Sequence, residues 1–406
     1  MAIKAADIDN DGDLDLLRTG RVDPGHYPLP ITSMLMRNDS RQGQARFTAV
    51  QEQIAPDLIN AGMIADALFT DYDNDGWMDV ILCREWQSLL LLHNDKGHFS
   101  NVTAGSGIAT RTGWWNSITG GDFDNDGDID YVIGNSGTNT LYQCDSAHPL
   151  GIYGGDFNKD GRFDAIPTVY FADSAGNRHE YPAFGRDEMI EQLIGLRRRY
   201  PYYREFGRLQ LKDILYAEDL KDATIYHIRD NASMYMQNLG AGKFNLIPLP
   251  PEAQFAPLMA LLPADINGDG NLDLLINGND FGMDMNTGRC DALNGLVLVG
   301  NGKGGFRALS FSNSGLFIPG DGRALALLRI DQQGFAVLAS QNRAPLLVFR
   351  ANAIMQRIPA PAGKHRALIK EADGRQRLEE VYYGNSFLSQ SVPGILLSTG
   401  AALTWQ

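Results

Sequence analysis

Hydrophobic residues in this chain occur in short runs that are separated by polar, glycine-containing segments. Four of these runs lie at residues 14–17, 80–83, 131–133 and 274–276, and each follows an acidic segment. Apolar runs of this length between turn-forming segments are typical of β-strands. The pattern therefore predicts many short strands rather than a few long helices.

A second recurring pattern predicts β-hairpins. An apolar run is followed by Asn, Gly and Phe at residues 89–99, and the same order recurs at 234–244, at 296–306 and, more loosely, at 34–47. A glycine-containing gap between two apolar runs is a usual sequence for a hairpin turn. Together, the two patterns predict an all-β chain made of units with about four strands each.

One segment has helical periodicity instead. Between residues 186 and 199 the apolar residues lie on one helical face, acidic residues stand at the start, arginines stand at the end, and Pro201 follows. These charges complement the dipole of a helix, and proline stops the helix. We therefore predict a small helical insertion at about residues 172–225 within one of the β-sheet units.

A nine-residue acidic pattern, DxDxDGxxD, occurs five times, each time before a predicted strand. Positions 1, 3, 5 and 9 of the five copies are, in chain order, Asp7, Asp9, Asp11, Asp15; Asp71, Asp73, Asp75, Asp79; Asp122, Asp124, Asp126, Asp130; Asp156, Asn158, Asp160, Asp164; and Asp265, Asn267, Asp269, Asp273. Asp, Asn and Gly also form solvated turns without an ion. Five copies in register, each ahead of an apolar run, favour a shared metal-binding role.

The residue types in this pattern suit calcium. Ca²⁺ takes about six to eight hard oxygen ligands, which the side chains at positions 1, 3, 5 and 9 and a backbone carbonyl at position 7 would supply. Gly at position 6 lets the chain turn sharply around the ion. An EF-hand would need a Glu at position 12 and flanking helices, but position 12 is apolar here, as at Ile133. We expect about five Ca²⁺ sites, which stabilise the fold.

The spacing of the copies predicts the architecture. Successive copies begin 64, 51, 34 and 109 residues apart, and the longest gap contains the predicted helical insertion. Most spacings are near the roughly 40–50 residues of a four-stranded β-propeller blade. We predict an all-β β-propeller of four-stranded blades at residues 1–359, and a β-rich C-terminal segment at 360–406, which is either the last blade or a separate segment. A degenerate unit at 324–340 has only Asp331 in the loop position and should bind no ion.

Composition restricts the partners. The chain is 44% hydrophobic and 21% charged, so it has enough apolar residues to form a folded core. Its formal net charge is −14. This charge argues against nucleic acid as a partner and makes metal cations the natural counter-charge. Cys83, Cys144 and Cys290 are too few and too far apart for a disulfide framework or a zinc site.

No apolar run is long enough to span a membrane, and residues 1–6 lack the apolar core of an export signal. Because the first motif copy already begins at Asp7, we expect that a strand and an export signal precede this chain in the complete protein.

The acidic loops resemble those of the integrin-α-like FG-GAP and VCBS repeat propellers. Residues 113–122, 186–193 and 383–390 are similar to bacterial relatives of cartilage acidic protein, which carry a C-terminal ASPIC/UnbV-type segment. The resemblance implies a calcium-stabilised propeller of about seven blades in the complete protein. It also implies a secreted, periplasmic or cell-surface location and a truncated ASPIC/UnbV-like segment at 360–406. Whether the ring is closed stays an open question, because both ends of the chain look truncated.

In integrin-like blades the metal loop joins the innermost strand to the next one. The resemblance therefore places the metals on one face and the loops that precede the inner strands on the opposite face. The residues expected at the mouth of that opposite face are Trp86, Trp114, Trp115, Asn116, Asn135 and Asn279. Aromatic rings and amides suit a glycan or a peptide. Neighbouring strand residues point to opposite sides, so only one of Trp114 and Trp115 should reach a ligand.

These features favour a non-catalytic binding or adhesion module whose partner is a glycan or an extracellular protein. The alternative is a polysaccharide lyase or hydrolase, for which Glu85, Glu180 and Glu188 are unassigned acids, although no GxSxG, HExxH or P-loop occurs. A third hypothesis is a structural domain of a larger surface complex. An exposed apolar face on the insertion helix would favour this third hypothesis.

Overall fold

The computed structural model describes residues 2–283, 287–330, 334–350, 355–385, 387–398 and 400–406. The first third of the chain contains β1 (Ile3–Ala6), β2 (Asp15–Arg18), β3 (Met34–Asn38), β4 (Phe47–Ala49), α1 (Gln51–Ile54), β5 (Ile64–Thr70), β6 (Asp79–Ser88), β7 (Leu90–Asp95), β8 (His98–Asn101), β9 (Thr112–Trp114), β10 (Ser117–Gly121) and β11 (Asp130–Gly134).

The middle of the chain contains β12 (Leu150–Gly155), β13 (Asp164–Ala172), β14 (Arg178–Pro182), α2 (Arg186–Gln192), α3 (Leu196–Arg199), α4 (Tyr203–Phe206), β15 (Thr224–Ile228), β16 (Met234–Asn238) and β17 (Phe244–Pro248). The last part contains β18 (Leu258–Ala264), β19 (Asp273–Gly278), β20 (Leu296–Gly300), β21 (Phe306–Leu309), α5 (Phe311–Ser314), β22 (Gly322–Arg329), β23 (Phe335–Gln341), β24 (Leu347–Arg350), β25 (Met355–Ile358), β26 (Arg366–Lys370), β27 (Gln376–Glu380), β28 (Ile395–Ser398) and β29 (Ala402–Trp405).

The strands form antiparallel sheets that are mostly four-stranded. Four sheets have the orders β1-β2-β3-β4, β5-β6-β7-β8, β10-β11-β16-β17 and β18-β19-β20-β21, and β9 adds to β6 in the second of them. A three-stranded sheet, β22-β23-β24, follows. The all-β class and the four-stranded antiparallel unit were predicted from the sequence and are confirmed. The number of blades and the closure of the ring stay predictions.

Consecutive sheets share their hydrophobic cores, because neighbouring strand residues point to opposite faces. In β6, Val80 and Leu82 pack with residues of the first sheet, whereas Ile81 packs with residues of the third. In β11, Val132 likewise faces the fourth sheet, and its neighbour Tyr131 faces the second. Each middle sheet is therefore buried on both faces, which explains why its strands are continuous apolar runs.

A separate unit interrupts the third sheet. Its strands β11 and β16 pair with each other although residues 135–233 lie between them. The inserted residues form their own four-stranded sheet, β14-β13-β12-β15, and helices α2 to α4 pack on it through a core that includes Met189, Leu193 and Phe206. The helical segment predicted at 172–225 also contains the strand β14.

The C-terminal residues form a three-stranded sheet, β27-β26-β29, and a pair of strands, β25 and β28. The β25–β28 pair joins residues on both sides of the predicted boundary at 359. The segment between β27 and β28 contacts the first and the fifth sheet: Tyr383 bridges to Ala5, and the Val392 amide donates to the Leu327 carbonyl at 3.1 Å. The degenerate loop predicted at Asp331 lies outside the described residues. Among the described residues, no helix has the length and apolar character needed to cross a membrane.

Candidate metal centres

The five DxDxDGxxD segments connect paired strands and form loop 1 (residues 7–15), loop 2 (71–79), loop 3 (122–130), loop 4 (156–164) and loop 5 (265–273). In four of them the loop joins the first strand of a sheet to the second, as between β5 and β6. Loop 4 instead joins β12 to β13 within the inserted sheet. Loops 1, 2, 3 and 5 therefore join an edge strand to its neighbour, as the resemblance implies, and loop 4 does not.

All five loops share one hydrogen-bonding pattern. In loop 1, the Asp7 carboxylate at position 1 accepts the backbone N–H groups of Asp11 at 3.1 Å and Gly12 at 2.9 Å. The same two bonds recur at the corresponding positions of the other four loops. The backbone thus curls around the first carboxylate, which places the later carboxylates on the inner side of the curl.

The backbone at positions 4 and 6 explains why loops 1 to 3 contain the sequence Asn-Asp-Gly. In loop 2, Asn74 has a φ of 63° and Gly76 a φ of 87°. Asn and Gly are the residues that enter this left-handed region most readily. The remaining four loops have positive φ at the same two positions. The loop shape is therefore encoded locally, residue by residue.

Position 9 anchors each loop to its sheet. The Asp79 Oδ2 accepts the Tyr72 N–H at 3.3 Å, and its Oδ1 accepts the Asn94 N–H from the third strand at 2.7 Å. Burial, together with the neighbouring carboxylates of loop 2, raises the pKa of Asp79 to about 9. Burial likewise raises the pKa of Asp130 to about 8 and the pKa of Asp273 to about 7. These carboxylates lack a positive counter-charge strong enough to offset their burial.

Position 3 provides the test of whether a cation fits. One carboxylate oxygen, Oδ1, of Asp9, of Asp73 and of Asp124 is buried and accepts no hydrogen bond within the described residues. A buried carboxylate oxygen without a partner is costly, and a cation is a partner that removes this cost. The same atom is unpartnered in three loops that lie on three different sheets. The residues present therefore fit a bound cation.

The carboxylates in these three loops also converge. Three carboxylates come within 4.8 Å of one another in loop 1, in loop 2 and in loop 3. No such group of three appears among the described residues of loops 4 and 5. Both of these loops have Asn at position 3, and in loop 4 the Asn158 amide donates to Asp160 at 3.1 Å and to the Gln192 carbonyl at 2.8 Å. Loops 1 to 3 are the stronger candidate sites.

Two side chains near the loops were not expected as site residues. His93 Nδ1 lies 3.1 Å from Asp79 Oδ1 and 3.5 Å from Asp73 Oδ2. The Gln237 amide donates to Asp124 Oδ2 at 2.9 Å. His93 and Gln237 each stand one residue before the residue whose backbone N–H donates to the position-9 carboxylate. This position on the third strand of the sheet is the sequence signal that could have identified them.

The C-terminal sheet packs against the loops, which sequence reasoning also missed. The Arg366 guanidinium lies 2.6 Å from Asp71 Oδ2, and the Leu378 N–H donates to Asp122 Oδ2 at 2.8 Å. Arg377, which is 1% exposed, donates to the Gly270 carbonyl at 3.0 Å. Residues 366–380 therefore contact loops 2, 3 and 5, whose motif copies are far away in the sequence.

The residues predicted for the ligand face lie at different places in the structure. Trp114 and Asn116 stand just before β10, at the end away from loop 3, and they line a cavity of about 80 Å³ with Arg21 and Asp280. The structure thus brings two of the six predicted ligand-face residues to one cavity.

The other four residues do not line this cavity, and contacts within the protein explain why. Trp86 is 2% exposed, stacks on Trp114 and donates to the Tyr27 hydroxyl. Trp115 is fully buried in the core between the second and third sheets. Asn135 and Asn279 are fully buried and bond to backbone groups of neighbouring loops.

The sheets and the repeated loops define an all-β protein of antiparallel, mostly four-stranded units with acidic inter-strand loops. Residues 71–133, which hold loops 2 and 3, match the model of the FG-GAP-like repeat family. The chain thus contains an FG-GAP-like repeat, which confirms the predicted resemblance. Among solved structures, it is similar to the exotype rhamnogalacturonan lyase YesX, with a TM-score of 0.35 and 10% identity over 100% of this chain and 70% of that one. A likeness at this TM-score supports no conclusion about activity. No curated protein matches the chain.

Proposed function

We propose that this chain is a calcium-stabilised, non-catalytic binding or adhesion module of the β-propeller type. The observation that carries the proposal is the unpartnered, buried Oδ1 at position 3 of loops 1, 2 and 3, in loops that otherwise share one hydrogen-bonding pattern. Carboxylate and backbone carbonyl oxygens are the ligands that Ca²⁺ prefers. Asp, Asn and backbone groups at positions 1, 3, 5, 7 and 9 would hold the ion in each loop.

The ion would contribute stability and not chemistry. Carboxylate oxygens within 4.8 Å of one another repel when no cation lies between them. Five Ca²⁺ ions would change the formal net charge of the chain from −14 to −4. A secreted, periplasmic or cell-surface location is part of the proposal, because extracellular calcium modules work with dissociation constants of about 10⁻⁴–10⁻³ M.

The face away from the loops would bind the partner, a glycan or an extracellular protein. Trp114 and Asn116 offer an aromatic ring and an amide to the cavity, and Arg21 and Asp280 add charged groups to its lining. An aromatic face with a few polar groups is the usual composition of a site that recognises sugars or peptides.

Ring closure is part of the proposal. The C-terminal segment contacts the first sheet at Ala5 and the fifth sheet at Leu327, which supports its role as the element that joins both ends of the ring.

The catalytic alternative gains no support from the acids named for it. Glu85 pairs with Arg21, and Glu180 accepts hydrogen bonds from Thr168 and Tyr153. Glu188 lies on the helix α2. Each of the three therefore has different surroundings. The hypothesis of partner contacts through an apolar helix face also loses support, because Met189 and Leu193 are buried in the core of the inserted unit.

The test is to count bound ions by elemental analysis and to measure thermal unfolding in a chelator, in millimolar calcium and in millimolar magnesium. We expect between three and five calcium ions per chain and a melting temperature that is clearly higher in calcium than in the chelator. A chain that binds no calcium and melts at one temperature in all three conditions would refute the proposal.

The partner face is tested separately. A panel of oligosaccharides is titrated against the wild type, the Trp114→Ala variant and a control, Phe311→Ala, which removes an exposed aromatic ring elsewhere on the protein. Loss of a wild-type binding signal in Trp114→Ala alone supports the proposed mouth, and equal binding by all three proteins argues against it.

A further inference from the structure

The candidate metal loops are joined to one another by side-chain hydrogen bonds. In loops 1, 2 and 3, position 4 is an asparagine whose side-chain amide donates to the acidic loop of the following sheet. The three bonds run from Asn10 to the Gly76 carbonyl at 3.3 Å, from Asn74 to Asp128 Oδ1 at 2.5 Å, and from Asn125 to Asn271 Oδ1 at 3.1 Å. Loops 1, 2, 3 and 5 therefore form one continuous series across four sheets.

All three bonds end at the same part of the receiving loop. Gly76 is at position 6 of loop 2, and Asp128 and Asn271 are at position 7 of loops 3 and 5. This segment carries the backbone carbonyl that is expected to bind the ion at position 7. The conformation of the ion-binding segment in one loop is therefore connected to position 4 of the loop before it.

The backbone does not by itself require an asparagine at position 4. The residue there has a positive φ in all five loops, yet it is Lys159 in loop 4 and Gly268 in loop 5. Loop 4 lies on the inserted sheet, and within the described residues no hydrogen bond joins it to another loop. Loop 5 precedes the fifth sheet, whose sequence lacks the acidic motif. Asparagine thus stands at position 4 of the loops that have a further acidic loop beside them.

Buried asparagines on the third strands make a second connection. The Asn94 N–H donates to the position-9 carboxylate of loop 2, and the Asn94 side-chain amide donates to the Ile8 carbonyl in loop 1 at 3.0 Å. Asn238 makes the same two bonds, to the position-9 carboxylate of loop 3 and to the Tyr72 carbonyl in loop 2 at 2.8 Å. The backbone just before position 3 of one loop is therefore bonded to the residue that anchors position 9 of the next.

We propose that Asn10, Asn74 and Asn125 are positioning residues that make calcium binding to loops 1, 2, 3 and 5 cooperative. This inference rests on the proposed calcium sites. An ion fixes the backbone of its own loop around position 7, and the hydrogen bond to this segment then fixes position 4 of the preceding loop. The preceding loop loses less conformational entropy when its own ion binds, which is a positive coupling between the two sites.

Charge alone predicts a coupling of the opposite sign. Loop 3 contains five aspartates, so its formal charge is −5 when it is empty and −3 when it holds one Ca²⁺. A filled loop 3 is the less negative neighbour, so through space it attracts a second cation to loop 2 less strongly than an empty loop 3 does. The direction in which loop 3 changes the calcium affinity of loop 2 therefore distinguishes the hydrogen-bonded connection from the effect of charge.

The experiment measures the calcium affinity of loop 2 by itself. Trp77 is at position 7 of this loop, and its N–H donates to Asp75 Oδ1 at 2.8 Å. In the full chain labelled with 5-fluorotryptophan, the ¹⁹F signal of Trp77 therefore reports on the ion in loop 2, and Trp77→Phe assigns this signal among the five tryptophans. The signal is followed as free calcium is raised, which gives the midpoint of loop 2.

Four proteins form a double-mutant cycle: the wild type, Asp124→Ala, Asn74→Gly and the double variant. Asp124→Ala removes a ligand from loop 3, and Asn74→Gly removes the connection while it keeps a residue type that tolerates positive φ, as loop 5 has at this position. The matched control is Asp160→Ala, which removes one carboxylate from the unconnected loop 4.

We expect the midpoint of loop 2 to rise by about two- to tenfold in Asp124→Ala and in Asn74→Gly, which is the factor that one hydrogen bond contributes. The double variant should show no further rise, because both changes break the same connection. Asp160→Ala should leave the midpoint unchanged. A midpoint that stays the same or falls in Asp124→Ala, additive shifts in the double variant, or an equal shift in Asp160→Ala would each overturn the coupling.

A second variant keeps the test valid if Asp124→Ala does not fold. Asp128→Ala removes the acceptor of the Asn74 amide and no side-chain ligand, so it should raise the midpoint in the wild type and raise it less in the Asn74→Gly background. Failure of the calcium sites themselves is distinguishable from failure of the coupling. In that case the Trp77 signal would not respond to calcium in any variant and elemental analysis would find no bound ion, which would overturn both proposals.

Discussion

The guanidinium of Arg366 lies 2.6 Å from the carboxylate of Asp71, and the two residues are 295 positions apart in the chain. Asp71 is the first residue of loop 2 and is 1% exposed, and Arg366 begins the strand β26. The ion pair therefore connects the C-terminal sheet to a candidate metal site. It also gives that site one positive charge that comes from the protein.

The pair predicts a dependence on metal. In a chelator, Arg366→Met leaves the buried Asp71 charge without its counter-charge, and we expect a loss of about 1–3 kcal/mol in the free energy of unfolding. In millimolar calcium the ion compensates the same charge, so the loss should be smaller. Urea unfolding under both conditions measures the difference.

Lys370→Met is the matched control, because Lys370 ends the same strand and is exposed. It should change stability by less than about 0.5 kcal/mol in either condition. If Arg366→Met destabilises the protein equally with and without calcium, Asp71 and the ion do not share a site.

Loop 3 allows a test of a single ligand. Asp124 at position 3 has the unpartnered buried oxygen, whereas Asp128 at position 7 accepts a hydrogen bond from Asn74 at 2.5 Å. We expect Asp124→Ala, which removes the side-chain oxygens of position 3, to lower the calcium content by about one ion per chain and to reduce the rise of the melting temperature in calcium. Asp128→Ala keeps the backbone carbonyl that position 7 contributes and should retain the ion. Elemental analysis of both variants decides the question, and equal calcium content in the two would count against the assigned ligands.

Arg21 and Glu85 predict a pH dependence on the other face. Glu85 is 1% exposed and pairs with Arg21. Burial raises the pKa of Glu85, and the charge of Arg21 partly lowers it again. In Arg21→Met the pKa of Glu85 should rise further, because the guanidinium, which is the largest charge opposing the effect of burial, is removed.

The folded-state pKa of Glu85 lies above the unfolded value of about 4.3, so between these two pH values the folded protein binds more protons than the unfolded one. The free energy of unfolding therefore falls as pH rises through this range. We expect Arg21→Met to cost about 1–3 kcal/mol at pH 8 and clearly less at pH 5. Urea midpoints at the two pH values test this. In a Glu85→Gln background the same substitution should have little effect at either pH, and a pH-independent loss would contradict the assignment.

Trp114 and Trp115 should respond in opposite ways to truncation. Trp115 fills the core between the second and third sheets, so Trp115→Ala is expected to cost about 3–5 kcal/mol. Trp114 lines the cavity and should affect stability much less when truncated. Thermal melts of the two variants in calcium measure the contrast. A larger loss of stability in Trp114→Ala than in Trp115→Ala would contradict the assignment of Trp115 to the core.

The loops could be predicted from the sequence because each is a local structure. The positions that set its shape, such as Asn74 and Gly76 in loop 2, lie within nine residues of one another. The short apolar runs that follow the loops likewise predicted strands, which the structure confirms. What could not be predicted depends on contacts between distant segments, as for Arg366 on loop 2, because no local pattern specifies the partner of a surface arginine.

The ligand face shows the same limit. Its aromatic and amide residues were predicted from their places before or after inner strands, and Trp114 and Asn116 do line a cavity. Asn135 and Asn279 occupy comparable places, yet their amides bind loop backbone. Loop conformation decides between the two uses of an amide, and this conformation depends on the neighbouring sheets.

The interruption of the third sheet determines the order in which the protein can be completed. During synthesis β10 and β11 leave the ribosome first, and their partner strand β16 follows only after residues 135–233. Until then the edge of β11 is unpaired, and such edges promote association between chains. The inserted unit has its own core, so we expect it to fold before β16 pairs with β11 and to shorten the period in which this edge is unpaired.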